Sequence, residues 1–405
     1  MIHKYEELTL EIAKKKIDLN SKSNKIKCPR FGTGGNFADV FFWDTVFTCL
    51  WAKYFKDILP VEQSLDNLYR LALSDGYIAR QYLPIGEPCF NPSHPISYSP
   101  PILSWGELDL YKLYKDESRL REVFPKLQRF HQAFREHFML EDGLFFSDLL
   151  GCGMDNLPRW PRDWNWDDDD VGQKVKKEDF HPTMEWLIEK LPNWGWKPWT
   201  KQGRYIDASA QAAYDSLCMK RIADILGDSD ASSKYAEEHS VLKELINSKC
   251  WSERLGFYCD LAGDVQVERL HIGGFWPMIA EICSQDRLER VVSHLTNPET
   301  FGRTVPVPTL AANDPDYRSD GEYWLGSSWA PTTYMVLCGL KNCGYQELAT
   351  KIARKFVDAV ETVFEETGTL WENYAPDAIS RGNRSQPDFV GWTGLATTAI
   401  PREFL

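Results

Sequence analysis

Hydrophobic residues recur along most of this chain with the spacing of α-helices. Leu8–Leu19 carries one apolar stripe, whereas Asp44–Phe55 is apolar on most faces, which predicts a helix buried on all sides. Glu62–Leu73 again has a charged face. The same periodicity predicts further helices at Trp105–Tyr114, Leu120–His137, Asp207–Leu226, Ser232–Asn247, Phe275–Ile282, Gln285–Leu295, Ser327–Leu340, Tyr345–Val363 and Asp388–Ile400. No long alternating run is present, so we expect strands only as short pieces within loops.

The predicted helices come in pairs, one member apolar all round and the other with a charged face. Ser327–Leu340 followed by Tyr345–Val363 is an example. This alternation predicts an all-α fold with an inner and an outer layer of helices, in which about six helical hairpins close a barrel. Long loops rich in aromatic residues and proline, such as Asn91–Pro101 and Val305–Thr309, should then gather over one mouth, where function is expected.

One stretch departs from the helical pattern. Residues 160–201 hold seven tryptophans and the acidic run Asp167–Asp170. We interpret this stretch as an insertion that caps one mouth of a single catalytic domain spanning residues 1–405. The acidic run is typical of a solvated, helix-capping surface, and a bound divalent cation is the alternative. The prediction for the chain as a whole is no metal and no cofactor.

Composition and charge narrow the range of partners. The formal net charge of −13 disfavours nucleic acid and anionic membranes, since both require a basic surface. The ten cysteines show no metal-site or redox spacing, and the N-terminal residues have no apolar signal core. We therefore expect a cytoplasmic protein with a small-molecule partner and, as an open possibility, a homo-oligomer. The 16 tryptophans exceed what a core needs, and some are expected at a sugar site.

Two carboxylates with aromatic neighbours are the strongest chemical signal. Asp155 lies in Gly153-Met154-Asp155-Asn156-Leu157-Pro158-Arg159, and Glu372 lies between Trp371 and Asn373. Partial desolvation beside aromatic rings raises a carboxyl pKa, which allows the group to carry a proton near neutrality. Hydrolysis of a glycosidic bond requires one carboxyl as acid and another as base or nucleophile. A structural cap or buried ion pair is the other interpretation of such residues.

The motifs, taken together and in order, resemble glycoside hydrolase family sixty-three of the trehalase-like clan. They are Phe42-Trp43-Asp44-Thr45, Tyr98-Ser99-Pro100-Pro101 with Trp105, Gly153-Met154-Asp155-Asn156-Leu157-Pro158-Arg159, Gly274-Phe275-Trp276-Pro277, Tyr323-Trp324-Leu325-Gly326-Ser327-Ser328-Trp329, Leu370-Trp371-Glu372-Asn373-Tyr374 and Phe389-Val390-Gly391-Trp392-Thr393-Gly394-Leu395. The resemblance implies an (α/α)6 barrel and an inverting mechanism, with Asp155 as general acid and Glu372 as general base. Leu325 departs from the family, which usually has arginine at that position, and this affects substrate contacts rather than the carboxylates.

The residues predicted to bind substrate lie in or near these motifs. Asp44 either caps a helix or grips sugar hydroxyls, and Arg159 either orients Asp155 or pairs with the acidic loop. Trp105, Trp324 and Trp371 belong either to the core or to a sugar platform. The full predicted set is Trp43, Asp44, Tyr98, Trp105, Asn156, Arg159, Gln211, Tyr323, Trp324, Trp371, Tyr374, Gln386 and Trp392.

The compact size makes the chain most similar to the hydrolases of mannosylglycerate and glucosylglycerate within that family. An acidic leaving group requires a cation, for which Arg204, Arg381 and Arg384 are candidates. A neutral α-glucoside such as trehalose is the alternative substrate. Two further hypotheses are a sugar epimerase, disfavoured because His94 and His271 are isolated, and a non-catalytic sugar-binding protein.

Overall fold

The computed structural model describes residues 4–92, 94–161, 176–191 and 203–405 of the chain. The Asp167–Asp170 run therefore lies outside the described residues. The helices are α1 (Lys4–Lys15), α2 (Phe42–Ala52), α3 (Val61–Leu71), α4 (Leu103–Tyr114), α5 (Glu117–Phe138), α6 (Trp186–Lys190), α7 (Ile206–Leu226), α8 (Ser229–Leu245), α9 (Trp276–Ile279), α10 (Gln285–Thr296), α11 (Ala330–Asn342), α12 (Gln346–Thr367), α13 (Val390–Gly394) and α14 (Ile400–Phe404).

The helices form an (α/α)6 barrel, as the paired pattern predicts. An inner ring runs α2–α4–α7–α9–α11–α13 and closes because α13 packs against α2. The outer helices α3, α5, α8 and α12 each contact the inner helix that precedes them in the chain, and α1 contacts α13. Every residue of α2 is buried except Trp43, whereas α5 buries only one face. The prediction of an apolar inner layer and an amphipathic outer layer is confirmed.

Two inner elements differ from their predicted extent. Phe275–Ile282 was expected to form one helix, but a 3-10 turn at Ile272–Phe275 leads into the single turn of α9. Pro277 favours a helix start at this position, and Glu281 (φ 57°) ends it in the left-handed region. The last predicted helix, Asp388–Ile400, is divided by a π-helical segment at Leu395–Ala399.

Strands are short and lie in the connections between helices. The strands are β1 (Ile17–Asp18), β2 (Arg30–Phe31), β3 (Val40–Phe41), β4 (Gln81–Tyr82), β5 (Gly203–Arg204), β6 (Trp251–Ser252), β7 (Phe257–Tyr258), β8 (Asp260–Ala262) and β9 (Val265–Val267). All the described pairs are antiparallel: β1–β2, β3–β4, β5–β8, β6–β7 and β8–β9. In the part of the chain that the structure describes, none of the helices is long and apolar enough to cross a lipid bilayer.

A buried histidine joins the outer layer to the inner layer. His131 on α5 contacts Asp215 Oδ2 on α7 through Nδ1 at 2.7 Å and Glu238 Oε2 on α8 through Nε2 at 2.6 Å. Ser104 on α4 also donates to Asp215. Only the imidazolium form donates from both nitrogens. Burial lowers the pKa of His131, but its hydrogen bonds with the two carboxylates outweigh that effect, so the pKa is raised.

We therefore expect His131 to stabilise the barrel in a pH-dependent way. A histidine pKa raised by folding contributes stability that is complete below the unfolded value of about 6.5 and is lost as pH rises through the folded value. The difference in unfolding free energy between the wild type and His131→Gln should therefore shrink as pH rises above about 6.5. Urea denaturation at several pH values measures it. A difference that does not change with rising pH would show that folding does not raise the pKa of His131.

Candidate active site

A pocket of about 400 Å³ opens at the end of the barrel where the inner helices begin. Trp43 and Asp44 come from the first turn of α2, while Asp155 and Glu372 come from loops that precede α7 and α13. Among the described residues its lining consists of Thr33, Asn36, Phe37, Ala38, Asp39, Phe41, Trp43, Asp44, Arg80, Gln81, Phe90, Leu150, Gly153, Asp155, Met184, Trp186, Leu187, Tyr323, Trp324, Glu372, Phe389 and Trp392. The structure thus brings together two carboxyls that are more than two hundred residues apart in the chain.

The loop that carries Asp155 packs directly against the start of α2. Gly153 has φ 78°, and a Cβ built on it would lie 2.4 Å from Cζ2 of Trp43. Any side chain at this position would collide with the indole, so glycine is required for the loop to bring Asp155 into the pocket. The next residue, Asn156, accepts a hydrogen bond from the backbone N–H of Trp324 at 2.9 Å. Asn156 thereby ties the Asp155 loop to the loop that holds Trp324.

Glu372 is buried and held from two sides. Its Oε2 accepts a hydrogen bond from the backbone N–H of Gln386 at 3.3 Å, and its Oε1 accepts one from the hydroxyl of Tyr323 at 3.4 Å. Its backbone carbonyl accepts from Nε1 of Trp392 at 3.0 Å. These contacts orient the carboxyl while leaving it on the pocket wall, where a water or substrate can reach it.

Burial raises the pKa of each carboxyl in the pocket, because a carboxylate loses its hydration there. The pKa of Asp155 rises to about 6, with Arg80 and Arg384 opposing the shift. The pKa of Asp44 rises to about 7, again against the effect of Arg80. The pKa of Glu372 rises to about 8, and the neighbouring Asp155 and Asp44 add to the effect of burial. The pocket therefore holds protons near neutrality, as acid–base chemistry requires.

These pKa values lead us to expect a bell-shaped dependence of kcat/KM on pH. One carboxyl of the pair must be ionised and the other protonated. Activity should fall below about pH 6, where both carboxyls are protonated, and above about pH 8, where both are ionised. Because the groups interact, the two limbs belong to the pair rather than to one residue. Initial rates across pH 4–10 measure the profile, and a rate that stays flat from about pH 5 to about pH 9 would contradict it.

Aromatic rings form the wall of the pocket beside the carboxyls. Trp43 lies 6.0 Å from Trp324 and 5.9 Å from Trp392 between ring centroids. Trp324 is fixed from behind by parallel stacking on Trp329 at 4.0 Å. Indole faces of this kind suit the C–H faces of a sugar ring. Polar groups on one side and rigid rings on the other are typical of a small-ligand site.

Several residues of the predicted substrate-binding set lie outside this lining in the described structure. Tyr98 and Gln211 are both buried and bond to each other, with Oη of Tyr98 donating to Oε1 of Gln211 at 3.0 Å. Tyr374 is buried, and its hydroxyl accepts from the backbone of Trp371. The side chain of Trp371 donates to Thr367 of α12. For these four residues the observed contacts are those of supporting structure.

The other four predicted residues outside the lining have separate roles, and one of them, Asn156, ties the Asp155 loop to Trp324. Gln386 contacts Glu372 through its backbone rather than its side chain. Trp105 stacks on Tyr334 inside the barrel and lines a different pocket. Arg159 is fully buried and binds Asp207 and Asp260, which leaves it no role at the pocket surface.

Arg80 is the charged residue of greatest interest among the pocket residues that the sequence predictions missed. It precedes β4, and its backbone carbonyl accepts from Phe42 at the start of α2. Its guanidinium donates to the carbonyl of Leu150 and lines the pocket near the carboxyls. It is the only Arg or Lys in the lining as far as the structure describes the chain. Nothing in the local sequence marks Arg80, since only the pairing of β3 with β4 places it beside α2.

The predicted cap also contributes to the pocket. Met184, Trp186 and Leu187, all within the 160–201 stretch, belong to its lining. Trp186 is half exposed, at 51% of its possible surface, although it lies beside the pocket. The most acidic part of the stretch is not described. Within the described ranges, no group of three or more His, Cys, Asp or Glu side chains could hold a metal ion.

A barrel with paired carboxyls and an indole wall at one mouth is the arrangement that the sequence motifs predict. A family model described as the mannosylglycerate hydrolase MGH1-like glycoside hydrolase domain matches residues 40–389, and the chain belongs to this family. The resemblance to glycoside hydrolase family sixty-three that the motifs indicate is thereby confirmed.

Comparisons with individual proteins agree with the family. The chain is 29% identical over 283 residues to an uncharacterized protein of Borreliella burgdorferi, covering 68% of this chain and 51% of that protein. It is 21% identical over 421 residues to a probable mannosyl-oligosaccharide glucosidase of Schizosaccharomyces pombe, covering 91% and 50%. The chain thus spans about half the length of these curated relatives.

A solved structure shares the whole fold. The mannosylglycerate hydrolase of Thermus thermophilus, determined in complex with glucose, superposes with a TM-score of 0.73 at 18% identity. The match covers 97% of this chain and 99% of that chain. At this identity the similarity shows the (α/α)6 fold alone, so the substrate must be inferred from the residues of the site.

Proposed function

We propose that this protein is an inverting α-glycosidase that hydrolyses a small α-mannoside or α-glucoside. The observation that carries this proposal is the placement of Asp155 and Glu372 on one indole-lined pocket with raised carboxyl pKa values. In this proposal Asp155 protonates the glycosidic oxygen while Glu372 activates a water on the opposite face of the sugar. Asp44, Trp43 and Trp324 bind the sugar ring.

The size of the pocket supports a short substrate. A volume of about 400 Å³ lies near the lower end of the range of about 300–1,000 Å³ found for ligand pockets. This volume suits a disaccharide-sized glycoside better than a long glycan.

Arg80 supports an acidic leaving group, and we infer mannosylglycerate or glucosylglycerate as the preferred substrate. The pocket lining holds four carboxyls, Asp39, Asp44, Asp155 and Glu372, so an anionic substrate needs a cation within reach. Arg80 supplies one on the pocket wall, close enough to lower the pKa of both Asp44 and Asp155. Arg204, one of the predicted candidates, pairs with Asp142 outside the pocket lining.

A neutral α-glucoside is the second candidate substrate. It is favoured by the similarity to the probable mannosyl-oligosaccharide glucosidase, and its binding would need no cation. Digestion of mannosylglycerate, glucosylglycerate, trehalose, kojibiose and nigerose, followed by proton NMR, separates the candidates. We expect the hexose first released from one α-linked substrate to be the β-anomer, and this result establishes inversion. Release of an α-hexose would exclude an inverting mechanism, and binding without release of sugar would point to a sugar-binding protein.

Replacing Arg80 by Gln should discriminate between acidic and neutral substrates. Loss of a hydrogen bond between charged groups should raise KM for the glycerate glycoside by about tenfold to a hundredfold. Replacing Arg80 also affects the pocket carboxyls, but this indirect effect changes the turnover of neutral and acidic substrates alike. Comparing the two substrates in the same variant therefore separates leaving-group recognition from the indirect effect. The measurement is the ratio of kcat/KM for glucosylglycerate to that for trehalose or another cleaved neutral glucoside. An unchanged ratio would remove Arg80 from leaving-group recognition.

A further inference from the structure

An exposed arginine lies beside the active-site pocket without a charged partner. Arg384 forms no side-chain hydrogen bond or ion pair in the part of the chain that the structure describes. Its guanidinium carbon lies 5.4 Å from the centroid of the Tyr323 ring, which is the distance of a cation–π contact. Tyr323 lines the pocket, and its hydroxyl donates to Oε1 of Glu372 at 3.4 Å. One aromatic ring therefore separates the Arg384 guanidinium from a candidate catalytic carboxyl.

The backbone that carries Arg384 is fixed by contacts next to Glu372. The carbonyl of Arg384 accepts a hydrogen bond from Nδ2 of Asn373 at 3.0 Å. Oγ of Ser385 accepts from the backbone N–H of Asn373 and donates to its carbonyl, each at 3.0 Å. The backbone N–H of Gln386 donates to Oε2 of Glu372 at 3.3 Å. The origin of the Arg384 side chain is therefore constant relative to Glu372, while its long side chain can turn towards a ligand.

The carboxylates of the neighbouring loop are engaged by other side chains. Oδ2 of Asp320 accepts from Nδ2 of Asn383 at 3.0 Å. Oε2 of Glu322 lies 4.0 Å from Nε of Arg318. These carboxylates therefore do not neutralise Arg384, whose charge stays available to an anionic ligand.

The arginine that lines the pocket, in contrast, is shared among several acidic groups. The charge of Arg80 lowers the pKa values of three buried carboxyls, which are Asp44, Asp148 and Asp155. An anionic leaving group brings a further negative charge, which a shared guanidinium balances only in part. Arg384 also lowers the pKa of Asp155, so its charge reaches the carboxyl that meets the leaving group in the proposed mechanism.

We propose that Arg384 determines the charge specificity of the leaving-group position, where its guanidinium leaves the Tyr323 ring and pairs with a carboxylate of the leaving group. This inference rests on the proposed function, because it concerns the leaving-group side of the same site. It adds a second cation to Arg80 and selects α-glycosides whose leaving group is a short hydroxy acid. A carboxylate accepts two parallel hydrogen bonds from the planar fork of an arginine, which a neutral hydroxyl does not.

Matched pairs of ligands test the proposal. Glucosylglycerate and glucosylglycerol share the sugar and the three-carbon leaving group, and they differ only in a carboxylate against a neutral hydroxymethyl group. Mannosylglycerate and mannosylglycerol form a second pair. Calorimetric titration into Asp155→Asn measures affinity without turnover, and we expect the glycerate glycoside to bind more tightly than its glycerol partner.

Replacing the arginine should remove this preference. Adding Arg384→Gln to Asp155→Asn should weaken binding of the glycerate glycoside by about tenfold to a hundredfold and leave that of the glycerol glycoside nearly unchanged. Arg384→Lys keeps the charge but not the fork, so it should retain part of the preference. The ratio of the two affinities is the quantity measured, because any change in the shape of the site affects both ligands alike.

Arg381→Gln in the same Asp155→Asn protein is the matched control. Arg381 is also exposed, but its guanidinium lies 4.8 Å from the ring centroid of Trp371 and donates to the carbonyl of Gly382. We expect this variant to keep the affinity ratio. Three results would overturn the proposal: no preference for a glycerate glycoside, a ratio unchanged by Arg384→Gln, or the same loss in Arg381→Gln. Turnover by the wild type is measured separately and tests the proposed function, so the two failures are distinguishable.

Discussion

Asp155→Asn and Glu372→Gln should each lower kcat by about 10²–10⁴-fold while leaving substrate binding largely intact. Both substitutions keep the size of the side chain and remove its ability to transfer a proton. Each carboxyl faces the pocket, so its loss should affect the chemical step rather than the fold. Glu322→Gln is a suitable control, because Glu322 is next to Tyr323 but its side chain lies outside the pocket lining. Turnover and binding, measured separately on the same substrate, distinguish the two effects.

The same variants decide which carboxyl is the acid. The family resemblance implies Asp155, whereas the raised pKa of Glu372, about 8 against about 6 for Asp155, favours the proton on Glu372 in the free protein. If Asp155 is the acid, the reactive form of the free enzyme is the minor one, in which Asp155 is protonated and Glu372 is ionised. Substrate binding must then favour that form. A substrate with a leaving group that needs no proton should restore turnover to the acid variant.

Azide supplies the complementary test of the base. In the variant that lacks the base, azide should replace the activated water and give a β-glycosyl azide from an α-glycoside. We expect azide to rescue Glu372→Gln and the activated leaving group to rescue Asp155→Asn. Rescue in the opposite order would reverse the two roles, and full activity of both unrescued variants would remove both residues from the mechanism.

Arg159→Met should destabilise the protein by about 3–5 kcal/mol, because it leaves two buried carboxylates without their cation. The guanidinium is fully buried and bonds both oxygens of Asp207, at 2.6 and 3.0 Å, and both oxygens of Asp260, at 2.7 and 2.8 Å. Asp260 also contacts His271 Nε2 at 3.0 Å. Lysine cannot replace the planar fork, so Arg159→Lys should recover only part of the loss.

Chemical denaturation measures this effect, and an exposed pair provides the control. Arg121 pairs with Glu117 on the surface of α5, and Arg121→Met should cost less than about 1 kcal/mol. Adding Asp207→Asn and Asp260→Asn to Arg159→Met should recover stability, since the unpaired charges are then gone. If Arg159→Met lowered the unfolding free energy no more than Arg121→Met does, Arg159 would not be the buried partner of Asp207 and Asp260.

The partners of Arg159 could not be predicted from the sequence. Arg159 follows Asp155 by four residues, and that spacing predicts that it orients Asp155 or pairs with the acidic loop. Its partners come from α7 and β8, which are 48 and 101 residues further along the chain. Whether an arginine faces a ligand or a buried carboxylate depends on these distant residues, and the local pattern contains no information about them.

The pattern of apolar and polar positions by itself determined the barrel. An inner helix must be apolar all round and an outer helix on one face, because one is surrounded by protein and the other meets water. The sequence also located the two candidate catalytic carboxyls, because the motifs around Asp155 and Glu372 are local in the chain. The boundaries of α9 and the division of the last helix could not be predicted from the sequence, since proline, glycine and packing within the ring modify them.

Only the tertiary structure decided which residues share a pocket. Asp155, Glu372 and Trp43 meet because separate loops converge at the start of the inner helices, and Arg80 joins them through the pairing of two very short strands. Trp105 lies in the first turn of α4 but does not line this pocket, because its ring stacks on Tyr334 of α11 inside the barrel. Periodicity specifies which face of a helix is buried, but the position of a side chain along the barrel axis follows from how the helices are packed together.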